Sequence, residues 1–156
     1  MTGIDTNILV RIFVSDDVRQ TAIAQRFMEA LTPEEPGYIS TVALLELWWV
    51  LHRTYQMEKM ALVRAVRRLL DAPHLLIEHK EEVSEAVGNF LTGNANLQDY
   101  LVERRCFGAG CARTMTFDRA AARSAGMTLV DQIPIASPAP NSVSTPSTAK
   151  MAAAIP

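Results

Sequence analysis

The chain has 156 residues, 49% of them hydrophobic and 21% charged, with a formal charge of −2 and a pI near 5.9. That length suits one domain with its own core, and the near-neutral balance excludes a protein whose overall field draws in nucleic acid, so any polyanion must be met by a local patch. No apolar run is long enough to span a membrane, and the start, Met1 to Val14, is broken by Asp5 and Arg11 and has no basic lead. It reads as a buried strand plus a turn rather than a signal peptide, and a cytoplasmic protein is expected.

Along the chain, Gly3-Ile4 reads as a short strand ending at Asp5. The spacing of Ile23, Phe27, Ala30 and Leu31 predicts a helix over 21–31, stopped by Pro33 and Pro36. Tyr38-Ile39 is a short strand, and Thr41 is placed to cap a helix from Val42 to about Tyr55. In that helix Leu44, Leu47, Trp48, Leu51 and Tyr55 share one face, with Glu46, Trp49, Val50 and Arg53 opposite. A helix over 58–71 places Leu62, Val63, Val66, Leu69 and Leu70 on its core side. Leu75-Leu76-Ile77 suits a buried strand. Helices follow over 81–91, ended by Gly93, and from Asn96 to about Cys106. A strand over 113–117, a helix over 119–125 capped by Asp118 and stopped by Gly126, and a strand over 127–130 complete the folded part, 1–131.

Strands separated by helices predict an α/β sandwich with a mostly parallel sheet, and such sheets build sites outside the carboxyl ends of their strands, where Asp5 and Asp118 fall. Cys106 and Cys111 lack further ligands at metal-binding spacing and read as buried reduced thiols. From 132 to 156 the chain turns Pro-, Ser- and Ala-rich with Lys150 as its one basic residue, the composition of a disordered tail.

Four carboxylates carry the functional argument: Asp5, Glu46, Asp99 and Asp118. Taken singly, Asp118 and Asp99 are well placed as helix caps and Asp5 with Asn7 as a turn. Glu46, among Leu44, Leu45, Leu47, Trp48 and Trp49, has no such local role and needs a partner, a cation or water. Two carboxylates about 5 Å apart repel by roughly 3 kcal/mol at an effective dielectric near 20, so four that converge hold either protons or a cation. A carboxylate-bound Mg²⁺ keeps several waters and neutralises charge on a phosphate, which makes phosphodiester hydrolysis the natural reaction. Arg104, Arg113 and Arg119 belong to a locally basic stretch, 101–130, and are the candidates for RNA contact, although a solvated helix surface accounts for each arginine taken singly.

Asp5-Thr6-Asn7, Glu46-Leu47, Asp99-Tyr100-Leu101-Val102 and Thr116-Phe117-Asp118, in this order, resemble a PIN domain, and within it the VapC-type toxin ribonucleases of bacterial toxin-antitoxin pairs. The resemblance covers roughly 1–130. It implies a PIN-like three-layer α/β sandwich, an endoribonuclease dependent on Mg²⁺ with Mn²⁺ able to substitute, and catalytic acids at Asp5, Glu46, Asp99 and Asp118. Asp5 and Asp99 correspond to the direct metal ligands, and Asn7 and Thr116 to orienting polar residues. A cognate antitoxin protein and a homodimer are the implied partners, with Trp49 and Val50 available for a groove or an interface unless they pack on a neighbouring helix. The chain departs at Asn96, where many relatives carry a further acid; an amide brings no charge, which weighs against a second ion. The alternatives are a PIN-fold binding module without chemistry, or an aspartyl-phosphate phosphatase or receiver domain. Asn7 stands where a phosphatase needs its second Asp, and the folded part lacks the adjacent acidic pair and late Lys of a receiver.

Overall fold

The computed structural model describes residues 1–132, so the expected tail lies outside the described residues from 133 onward. The first strand, β1 (Thr2–Gly3), is followed by helices α1 (Thr6–Phe13) and α2 (Val18–Glu29) before β2 (Gly37–Ile39). Two more helices, α3 (Thr41–Arg53) and α4 (Lys59–Leu70), lead to β3 (Leu75–Ile77). Then come α5 (Lys80–Thr92), α6 (Leu97–Gly108), β4 (Met115–Thr116), α7 (Arg119–Ser124), β5 (Thr128–Leu129) and a 3₁₀ turn at Val130–Gln132. Every strand pairing among the described residues is parallel. β2 lies between β1 and β3, and β4 pairs with β5 as a separate two-stranded piece. This is the α/β class expected.

The amino-terminal reading needs correction. Instead of a buried strand and a turn, the chain forms a two-residue strand with exposed side chains and then a helix. The Asp5 carboxylate accepts the Asn7 backbone N–H (3.4 Å) and starts α1. Leu9 and Val10 then bury against the core, and α1 packs on both α2 and α3. The α3 cap is also not Thr41. Ser40 Oγ accepts the Ala43 N–H (3.2 Å), while the Thr41 N–H donates to Glu78 Oε2 at 2.7 Å. In β3, Leu75 and Ile77 are buried but Leu76 is 48% exposed, so the strand buries one face rather than both.

Of the core faces expected of α3 and α4, Leu44, Leu47, Trp48 and Leu51, and Leu62, Val63, Val66, Leu69 and Leu70, are buried, but α3 ends at Arg53, so Tyr55 lies beyond it, half-buried with its hydroxyl on Asp16. Trp48 meets Phe90 of α5 edge-on, centroids 4.8 Å apart, and the Lys59 ammonium sits 4.7 Å over the Phe90 ring. Gly37 lets the central strand pass close to its neighbours, since a Cβ there would stand 2.5 Å from Ile4 Cδ1 and 2.8 Å from Leu31 Cδ1. Cys106 and Cys111 are free thiols but not buried ones: α6 contacts the core through Leu97, Tyr100 and Leu101, and beyond them it leaves the core. Among the described residues no helix is long and apolar enough to cross a membrane.

Candidate active site

Asp5 lies two residues past β1, at the head of α1, where its Oδ2 accepts from Asn7 Nδ2 (3.1 Å) as well as from the backbone. The next residue, Thr6, is only 4% exposed, because α1 docks that side onto α3. Its Oγ1 donates to Glu46 Oε2 at 2.7 Å, joining the start of α1 to an acid forty positions later in the chain. Glu46 itself is exposed, so water and the Thr6 hydroxyl together meet the requirement that its leucine-rich surroundings posed. Thr6 is the site residue that sequence reasoning missed. Its signal was its spacing of three and four from Leu9 and Val10, which places it on the buried face of an amphipathic helix.

Asp99 and Asp118 are held differently. Asp99, in the first turn of α6, accepts the Asn96 backbone N–H through Oδ2 (2.9 Å), one arm of a capping box. Asp118 caps α7, with Oδ1 accepting the N–H groups of Ala120 (2.6 Å) and Ala121 (3.2 Å). Thr116 Oγ1 accepts the Asp118 N–H (2.9 Å) and sets the turn that delivers this acid. The sequence profile of the PIN domain family matches residues 4–126, a stretch that contains all four acids. The chain belongs to the PIN-domain family. Comparison with the curated proteins finds no match.

Family membership gives nuclease activity as the general class, and PIN domains typically bind divalent metal ions. The donor chemistry in this PIN domain suits such an ion. Each of the four acids spends one oxygen on an internal hydrogen bond, and among the described residues the other, Asp5 Oδ1, Glu46 Oε1, Asp99 Oδ1 and Asp118 Oδ2, has no protein donor. No basic side chain stands within 4 Å of any of the four among the described residues. Three or more acid, histidine or cysteine side chains close enough to share an ion are not found among the described residues as the side chains lie. Mg²⁺ asks for less, one or two carboxylates with waters filling the remaining positions.

The candidate RNA-binding arginines differ in what holds them. Arg104 is paired with Glu85, and Arg105 with Glu82 at 3.1 Å, which fastens α6 to α5. Arg113 and Arg119 are exposed and have no carboxylate within 4 Å among the described residues. One further acid stands at a strand's carboxyl end: Glu78, directly after β3. The Thr41 N–H holds its carboxyl below the ordinary range, against the opposing effect of burial. Burial, and then Glu78 nearby, push the Tyr38 hydroxyl up. Glu78 thereby positions the start of α3, the helix that carries Glu46.

Proposed function

We propose that this PIN domain is a divalent-metal-dependent endoribonuclease and the toxin of a toxin-antitoxin pair. The observation that supports the reading is the unspent oxygen on each of the four acids in a nuclease family. Asp5 and Asp99 would hold the ion, and Glu46 and Asp118 the waters around it. A Mg²⁺ or Mn²⁺ ion so bound supplies a more acidic water and charge neutralisation at the phosphate.

The chain's own residues arrange the rest. Asn7 fixes the Asp5 carboxylate through Oδ2, Thr6 holds Glu46 by its Oε2, and the α7 cap holds Asp118 by its Oδ1. In each case the free oxygen is left to accept a hydrogen bond from water and to aim it. Such fixed acceptors act without reorganising during the reaction. Arg113 and Arg119, with no carboxylate partner among the described residues, neutralise phosphates of the bound strand.

The antitoxin and the homodimer belong to the same proposal. On α3, Val42 and Trp49 lie exposed on either side of Glu46, with Trp49 at 54%, whereas Val50 packs on the core. A cavity of about 330 Å³ between α1 and α2, walled by Ile8, Ile23, Ala24 and Phe27, opens beside Asn7. A partner segment seated across these surfaces would cover the acids. The test is cleavage of RNA by the purified protein with and without Mg²⁺, compared with Asp5→Asn. Cleavage that appears with the ion and is absent from the variant is expected. A protein that binds RNA but cuts none with any divalent ion would be a binding module instead.

A further inference from the structure

The chain exposes one aromatic ring almost completely beside a candidate acid. Phe117 is 83% exposed, more than any other aromatic side chain among the described residues. Its position is built rather than loose. Thr116 Oγ1 accepts the Asp118 N–H on one side of it, and Asp118 Oδ1 accepts from Ala120 and Ala121 on the other. These bonds fix the backbone that carries the ring next to the Asp118 carboxylate. A lone exposed apolar residue calls for no explanation; a second observation gives this one its meaning. Between 113 and 123 the chain carries Arg113, Arg119 and Arg123 against Asp118 alone. All three are exposed with no carboxylate within 4 Å among the described residues, and although Arg19, Arg26, Arg53, Arg64, Arg67 and Arg68 are also unpaired there, these three flank the ring in sequence.

We propose that Phe117 is a stacking platform for a base of single-stranded RNA next to the bond being cut, with the neighbouring arginines on the flanking phosphates. This rests on the endoribonuclease reading above. An aromatic face accepts any base, and a surrounding positive charge follows the backbone, the combination that single-strand binding uses. The occupant is a flat π system rather than an apolar protein segment, because the ring's chain neighbours Thr116, Asp118 and Arg119 are polar or charged, and in 113–119 only Met115, at 40%, is a second exposed large hydrophobic. Phe117 is a positioning residue: it orders the strand so that the phosphate lies over the acids.

The test uses the full chain as Asp5→Asn for binding and with Asp5 intact for turnover, on a single-stranded RNA oligonucleotide carrying one abasic nucleotide at successive positions. Phe117→Ala is expected to weaken binding about tenfold, the magnitude of one stacked base. Phe117→Tyr is expected to restore it, and KM is expected to rise with kcat unchanged. One abasic position should abolish the difference between Phe and Ala. The dependence on salt should stay the same in Phe117→Ala but flatten in Arg119→Gln, since only the arginine releases counterions. Unchanged RNA binding in Phe117→Ala overturns the proposal. An equal loss at every abasic position overturns it too, as does unchanged RNA binding with weakened self-association, which would assign the ring to a protein contact. If the intact protein cuts no RNA in any divalent ion, the endoribonuclease reading fails by a separate measurement.

Discussion

Glu46 is tied to the start of α1, beside Asp5, whereas Asp99 and Asp118 are each held by their own neighbours. The buried Thr6 hydroxyl links the first pair across forty positions of chain, so their relative placement depends on α1 being docked on α3. Among the described residues the second pair takes its side-chain hydrogen bonds from residues no more than three positions away, as Asp5 does from Asn7. The placement of Glu46 relative to Asp5 is therefore a product of tertiary packing, while Asp5, Asp99 and Asp118 are each oriented by a helix cap. Damage to the core should reach the first pair before the second.

The largest expected effect does not distinguish the pairs. Asp5→Asn and Asp99→Asn should each lower RNA cleavage by about 10³-fold in single-turnover assays, the scale of losing one preorganised electrostatic group. Both variants should keep their thermal midpoints, because asparagine still accepts the capping hydrogen bonds of these positions. A variant that melts early, or still cuts normally, would break the assignment.

Thr6→Val sharpens the contrast. It keeps the shape but removes the donor to Glu46 Oε2, with an expected loss of about 1 kcal/mol in urea unfolding and a lower kcat, while Thr6→Ser retains both. The same treatment of the locally held pair should separate the two properties. Asp118→Ala should lose about 1 kcal/mol through the cap, and Asp118→Asn should lose cleavage with almost no loss of stability. Equal stability of the Ala and Asn variants would show that the cap contributes little.

The smallest effect is on pH dependence. Glu78, whose bond to Thr41 positions α3, has its carboxyl held below its ordinary value of 4.5, so the folded state takes up this proton less readily than the unfolded state. Its contribution is complete above that value and is lost as pH falls through the lower folded one. Glu78→Gln should flatten the acid limb of a plot of urea midpoint against pH. Tyr55 has the opposite sign. Its hydroxyl donates to Asp16 Oδ2 (2.6 Å), which raises it above the ordinary 10.0, so its contribution holds below that value and is lost as pH rises through the higher folded one. Tyr55→Phe should flatten the alkaline limb.

What could be read from the sequence follows the same division. The α7 cap was legible because Asp118 and the alanines it serves are neighbours in Asp118-Arg119-Ala120-Ala121, and the Asp99 capping box for the same reason. The buried stripes of α3 and α4 were legible from their spacing. The Thr6 to Glu46 bond was not, since no local pattern relates residues forty apart. α1 was missed because Ile8-Leu9-Val10 is an apolar triplet that a strand or a helix accommodates equally well, and the Asp5 cap is what decides it. Ser40 and Thr41 offer equivalent capping hydroxyls, and Glu78, from a distant strand end, takes the Thr41 N–H. The strand at β4 stops at Thr116 rather than running on to Phe117, because the Thr116 hydroxyl captures the Asp118 N–H and turns the chain.

The central claim, that these acids serve a metal ion which activates water against RNA, is tested most directly by the ends of the cleaved RNA with and without a chelator. The account predicts cleavage in Mg²⁺ or Mn²⁺, loss in EDTA, recovery when either ion is restored, and linear phosphate ends, because water is the nucleophile. Cleavage that persists in EDTA and leaves 2′,3′-cyclic phosphates would contradict it, since the RNA's own hydroxyl would then be the attacking group and the four carboxylates would need another explanation.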